Sequence, residues 1–214
     1  MAGASRSLSD ALRRVPVWLV YVVGFVPAGV YLHLGITDQL GADPLKTLEK
    51  ALGLWALRLL IATLTVTPLR QVVGVNLLRF RRALGLLAFY YAALHLTTYL
   101  LLDQGLEWPA ILADIVKRPY ITAGMVAFTL LIPLAVTSTK GWIRRLGRRW
   151  QLLHRLVYVS AIAACLHFLW KVKVAIGEPV YYAAILAVLL GFRVLWRLRP
   201  AAGPRRATAG VSSS

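Results

Sequence analysis

The chain has a single cysteine, Cys165, among 214 residues. It can therefore form no disulfide within itself, ligate no cysteine-based iron–sulfur cluster and carry no CxxCH haem attachment. Acidic residues are scarce as well, eight against 25 Lys and Arg, and charged residues of both signs make up only 15% of the chain. No internal repeat, P-loop, glycine-rich dinucleotide fingerprint or nucleophile motif occurs, and no polar stretch is long enough to fold as a soluble domain that could host one. What is abundant is apolar: 59% of residues are hydrophobic and the mean hydropathy is +0.67, too high for a water-soluble domain of this length.

Six apolar segments reach the roughly 18 to 20 residues that cross a ~30 Å hydrocarbon core. They run from Val17 to Gly35, Ala51 to Leu69, Ala83 to Leu102, Tyr120 to Thr137, His154 to Trp170 and Val180 to Trp196. The expected fold is all-α, a polytopic membrane protein built as a six-transmembrane-helix bundle. It divides into an amino-terminal tail over 1–16, a transmembrane domain over 17–197 and a disordered tail over 198–214. The first span is long, contains Pro27 and lacks a small-x-small exit, so it reads as a retained helix rather than a cleaved signal.

Charge orients the bundle. Arg6, Arg13 and Arg14, then Arg70, Arg79, Arg81 and Arg82, then Lys140, Arg144, Arg145, Arg148, Arg149 and Arg155, then Arg193, Arg197, Arg199, Arg205 and Arg206 all fall at one side. The other side carries Asp38, Asp43, Glu49, Asp103, Glu107, Asp114 and Glu178, with few lysines and Arg118. The positive-inside rule puts both termini in the cytoplasm. The net charge of +17 is mostly this asymmetry; it suits topology and anionic membrane lipid, and a nucleic-acid role is excluded because the basic residues are split among short loops. Six of the seven tryptophans lie near span ends, where amphipathic rings settle.

Histidines carry the chemistry. His95 is twelve residues past the cytoplasmic start of its span, about 18 Å in, and His167 thirteen past the start of its own, about 19.5 Å in. Imidazoles in hydrocarbon are costly unless paired, and two at matched depth on separate helices are what a low-spin b-type haem needs as axial ligands to its iron. A lone intramembrane His can instead hydrogen-bond a neighbouring helix. Small residues share a face with each, Ala92 and Ala88 before His95, and Ala164, Ala163 and Ser160 before His167, with Tyr91 a bulky exception. Arg58 lies roughly 12 Å below the outer boundary with no acid in any span, so a haem propionate is its expected partner, with snorkelling the alternative.

His154 sits at the cytoplasmic end of the fifth span. An ideal helix sets it about 140° round from His167, and the third span offers Arg81 or Arg82 at that height rather than a second His. Three roles stay open: one ligand of an inner haem, part of a flavin or quinone site where electrons enter, or an interfacial residue bonding the loop. His33, at the outer end of the first span, reads as interfacial.

The stretches TPLR (Thr67 to Arg70), RRALGLLAFYYAALH (Arg81 to His95), KRPYITAGMVAF (Lys117 to Phe128), PLAVTS (Pro133 to Ser138) and RRWQLLHRLVYVSAIAACLHFLW (Arg148 to Trp170) resemble the ferric-reductase-like transmembrane domain family. Within it they are most similar to the haem-binding membrane subunits of bacterial periplasmic methionine-sulfoxide reductase systems, over about Val17 to Trp196. That resemblance implies haem b and FMN as cofactors, an inner-membrane location, and electrons drawn from the quinone pool or a cytoplasmic flavin reductase. They would pass to a periplasmic molybdopterin catalytic subunit that repairs oxidised methionines. It implies functional roles for His95, His154 and His167, and an electron-transfer subunit rather than a catalytic one. An FMN phosphate could rest on Arg144, Arg145, Arg148, Arg149 and Arg155. Two alternatives remain: a quinone-linked or ferric-reductase-like cytochrome serving another acceptor, and a cofactor-free transporter or anchor.

Overall fold

The computed structural model describes residues 9–172 and 176–198. The expected disordered tail, apart from Leu198, lies outside the described residues, as do Arg6 and Lys173. Every regular element among the described residues is helical. The order is α1 (Val17–Ile36), α2 (Pro44–Val72), α3 (Arg81–Thr97), α4 (Trp108–Lys117), α5 (Pro119–Val136), α6 (Lys140–Leu146), α7 (Arg148–Leu153), α8 (Leu156–Val172) and α9 (Glu178–Leu198). A 3-10 turn, Leu78–Phe80, leads into α3, and a π-helical turn, Thr98–Asp103, extends it. Six stretches are long and apolar enough to cross a membrane, centred on α1, α2, α3, α5, α8 and α9, in agreement with the six segments expected.

Boundaries differ where local chemistry starts a helix outside the apolar run. α2 begins at Pro44 rather than Ala51, because Asp43 accepts the Lys46 backbone N–H (3.1 Å) and proline suits the first turn. That bond and the Lys46 ammonium hold the Asp43 carboxyl below its usual range. The fifth span is broken: α7 ends at Leu153, and His154 and Arg155 form a turn before α8. The 140° offset computed for a continuous helix therefore does not apply. The segment after Asp103, expected to be loop, contains α4. It buries Ile111 (3% exposed) and leaves Trp108 (60%), Leu112 (62%) and Val116 (84%) exposed one turn apart.

α2 is the centre of the bundle, with 56% of its apolar window buried, whereas α1 buries only 6%. α2 packs chiefly on α3 and α5 on α8, while α9 lies against α8 and α2, and α1 against α3 and α2. Leu64, Leu87, Ala88, Ala161 and Ser160 close the core. The Ser160 hydroxyl donates to the Ala127 carbonyl (2.9 Å), tying α8 to α5. Tyr91 ties α3 to α1: its hydroxyl donates to the Gly24 carbonyl (2.7 Å) and accepts the Ala28 N–H (2.9 Å), so it stands inside one rung of the α1 ladder.

Candidate functional site

His95 from α3 and His167 from α8 meet between the two main helix pairs, with ring centroids 6.0 Å apart and planes crossed at 75°. Each ring is anchored through Nδ1 to a backbone carbonyl of the helix its own helix packs on: His95 to Glu49 on α2 (2.9 Å), His167 to Tyr120 on α5 (2.7 Å). A carbonyl oxygen can only accept, so both Nδ1 atoms carry the proton and both Nε2 atoms keep a free lone pair. That tautomer is the one a metal-ligating histidine adopts, its second nitrogen held by an outer partner.

Spacing agrees with that chemistry. Imidazole nitrogen binds a transition metal at about 2 Å and the ring centroid lies about 1 Å further, so two rings flanking one metal stand about 6 Å apart. No group of three or more His, Cys, Asp or Glu arranged for a metal occurs among the described residues. A metal held by this pair must bring its remaining ligands with it, as a macrocycle does.

Charged residues roof the pair at the acid-rich end. The Glu49 carboxylate meets Lys171, one turn past His167, at 2.9 Å, with only 12% and 38% of the two side chains exposed. Glu178 is 3.5 Å from Lys50 and 3.9 Å from Arg58. This corrects the expectation that Arg58 has no acidic neighbour: Glu178 was counted as loop, but it begins α9 and faces α2. Arg58 also donates through Nε to the Tyr182 hydroxyl (2.7 Å) and lies over the Trp55 ring at 5.5 Å.

The small residues expected to make room beside the histidines are only partly free. Ala88 and Ser160 are fully closed by helix packing and Ala163 nearly so, leaving Ala92 and Ala164 half-buried. Tyr91, the bulky exception, is committed to α1.

His154 stands apart from the pair, in the α7–α8 turn at the arginine-rich end. The Thr137 hydroxyl already donates to the Pro133 carbonyl (2.6 Å), so it accepts from His154 Nε2 (3.1 Å), and the proton sits on the opposite nitrogen from that of the other two histidines. Trp150 stacks on the ring at 3.9 Å and donates its indole N–H to the Thr137 carbonyl (2.9 Å). Both line a cavity of about 420 Å³ together with Arg81, Arg82, Arg155, Arg197 and Tyr158 and with apolar residues that include Leu60, Phe89 and Leu131. Of the five arginines expected at an FMN phosphate, Arg155 lines this cavity; Arg144, Arg145, Arg148 and Arg149 are exposed and do not. His33 is exposed on α1, its carbonyl accepting from Thr37.

Sequence reasoning missed Glu49, Tyr120 and Arg193. Glu49 and Tyr120 act through backbone carbonyls, which no residue type signals. Arg193, on α9, donates to the Leu189 and Leu64 carbonyls and lies 5.5 Å from the Tyr158 ring centroid; its place inside the last span was the signal that could have found it.

Comparison with known proteins places the chain in a family of membrane proteins. The family profile described as ferric reductase like transmembrane component matches residues 52–165, a stretch that includes α3 with His95 and ends two residues before His167. The chain belongs to this family and is a multi-pass membrane protein. It is 57% identical over 197 residues, 88% of each chain, to the protein-methionine-sulfoxide reductase heme-binding subunits MsrQ of Brucella ovis, Brucella canis and Brucella suis. No solved structure matches it.

Proposed function

We propose that this chain is a haem b subunit that carries electrons across the bacterial inner membrane to a periplasmic methionine-sulfoxide reductase. One observation carries the reading: two imidazoles from separate spans stand 6.0 Å apart with both Nδ1 protons committed to backbone carbonyls. Likeness to subunits named for heme binding supports it independently.

In this reading His95 and His167 hold the haem iron through Nε2, and bound haem b supplies a one-electron relay. The protein's part is orientation and electrostatics. Carbonyls of Glu49 and Tyr120 fix both rings and raise their basicity. The Glu49–Lys171 pair adds opposite charges over the pair, so their effects on a nearby iron oppose each other. Among the described residues Arg58 hydrogen-bonds through Nε and stands 3.9 Å from Glu178 through one terminal nitrogen, so its remaining donors suit a propionate.

Electrons enter at the arginine-rich side, which the positive-inside rule makes cytoplasmic together with both termini. The cavity beside His154 receives them from the quinone pool or a cytoplasmic flavin reductase, and Arg155, which lines it, neutralises an FMN phosphate there. His154, proton on Nε2, presents Nδ1 as an acceptor to whatever donor docks. The short acidic end, with α4, meets the periplasmic molybdopterin subunit.

A reduced-minus-oxidised absorption spectrum of the purified protein tests the reading: cytochrome-type bands are expected, and their absence overturns it. His95→Ala and His167→Ala abolish the main haem signal, while His154→Ala leaves at least part of it. Equal loss in all three overturns the assigned pair.

A further inference from the structure

His95 and His167 are held by one device built twice. On α2 the accepting carbonyl belongs to Glu49 and the residue one turn later is Gly53; on α5 it belongs to Tyr120 and one turn later stands Gly124. Helical Cα–Cβ bonds tilt toward the amino terminus, so a side chain at i+4 leans over the carbonyl of residue i. That carbonyl already takes the N–H of i+4, and an outside donor reaches its second lone pair only if nothing hangs over it.

The space left by these glycines is occupied by imidazole. A Cβ on Gly53 would stand 3.2 Å from both Cε1 and Nδ1 of His95, and one on Gly124 would stand 2.8 Å from Nδ1 and 3.2 Å from Cε1 of His167. Other helical glycines differ: at Gly85 the nearest atom is a Thr63 methyl at 3.8 Å, and at Gly191 nothing lies within 4 Å. Gly24 is tighter still, its added Cβ 2.4 Å from a Leu87 methyl, but that neighbour is the end of a flexible side chain. Among the described glycines Gly53 and Gly124 are the two that face a histidine, at the same offset from its acceptor.

We propose that Gly53 and Gly124 are positioning residues of the two-histidine site, each opening a backbone carbonyl to Nδ1 and thereby setting the tautomer and rotation of the imidazole that holds the haem. The inference rests on the haem reading above. Ring rotation matters because the 75° crossing of the planes follows from which carbonyl each Nδ1 must reach. Bis-imidazole ferric haem with crossed planes gives a strongly anisotropic low-spin resonance, and parallel planes give a rhombic one. An imidazole that loses its Nδ1–H acceptor donates less to ferric iron, so the midpoint potential moves positive.

The test compares full-length Gly53→Ala, Gly124→Ala and Gly191→Ala proteins in detergent by haem-to-protein ratio, ferric electron paramagnetic resonance and midpoint potential. Gly124→Ala is expected to lower haem retention on the order of tenfold, to alter the low-spin signal and to raise the potential. Gly53→Ala should move the same readouts in the same direction but less, since its neighbour must yield only a few tenths of an ångström. Gly191→Ala should match the parent. If Gly124→Ala fails to fold, Gly53→Ala carries the test through its resonance and potential. Parent-like readouts in Gly53→Ala and Gly124→Ala overturn the inference, provided that His95→Ala and His167→Ala abolish the haem signal. Survival of that signal without either histidine overturns the haem reading instead.

Discussion

Tyr91 is buried on α3, yet its hydroxyl completes a rung of another helix, between the Gly24 carbonyl and the Ala28 N–H. Tyr91→Phe keeps the ring and strands both backbone groups, so it is expected to cost about 1–2 kcal/mol, read as a lower thermal midpoint in detergent with the haem spectrum kept. Opposite signs test the Glu49–Lys171 pair. Glu49→Gln removes a negative charge while keeping the carbonyl that holds His95, so the ferric state loses support and the haem midpoint potential rises. Lys171→Met removes the positive charge and lowers it, and the double variant returns toward the parent. Shifts of the same sign in both single variants would show that the pair acts through packing. At this scale His95 and His167 were legible because depth follows from counting along two helices, and the structure brings their rings together. Their acceptors were not legible, because any residue can supply a carbonyl. The acidic neighbour of Arg58 was missed because it lies 120 positions away in a stretch counted as loop.

Thr137 makes the end of α5 and the α7–α8 turn one unit, its hydroxyl accepting from His154 and its carbonyl from Trp150. Thr137→Val leaves the His154 Nε2 proton without that acceptor and is expected to destabilise by about 1 kcal/mol. Thermal unfolding checks the loss, and an unchanged spectrum from the His95–His167 pair checks that the two regions are separate. The six long helices were legible because apolar length is a signal that tertiary contacts do not overwrite. The break at His154 was not, since the residues around it are good helix formers and the turn is imposed by bonds from α5. α4 was missed because ten residues cannot span a membrane, although Pro109 in the first turn and apolar residues one turn apart at Trp108, Leu112 and Val116 mark an amphipathic helix.

For the whole molecule, the uneven charge makes a directional prediction. Gly141→Cys lies at the arginine-rich end and Glu107→Cys at the acid-rich end, both exposed, while the native Cys165 is buried. A membrane-impermeant maleimide added to intact spheroplasts should label the Glu107 variant and spare the Gly141 variant until the membrane is opened; the reverse pattern would invert the proposed topology. The distribution of basic and acidic residues along the sequence is enough to propose an orientation, whereas the packing order of the helices cannot be read that way, because it depends on which faces fit. That order has an effect on how the site comes into being. His95 and its acceptor lie on α2 and α3, His167 and its acceptor on α5 and α8, and each pair comprises two successive spans. Each imidazole can thus be aimed inside its own hairpin as that hairpin leaves the ribosome, before the other half exists. Joining the halves then only has to bring two finished half-sites face to face, and a haem held as proposed would meet two imidazoles whose ordering is already complete.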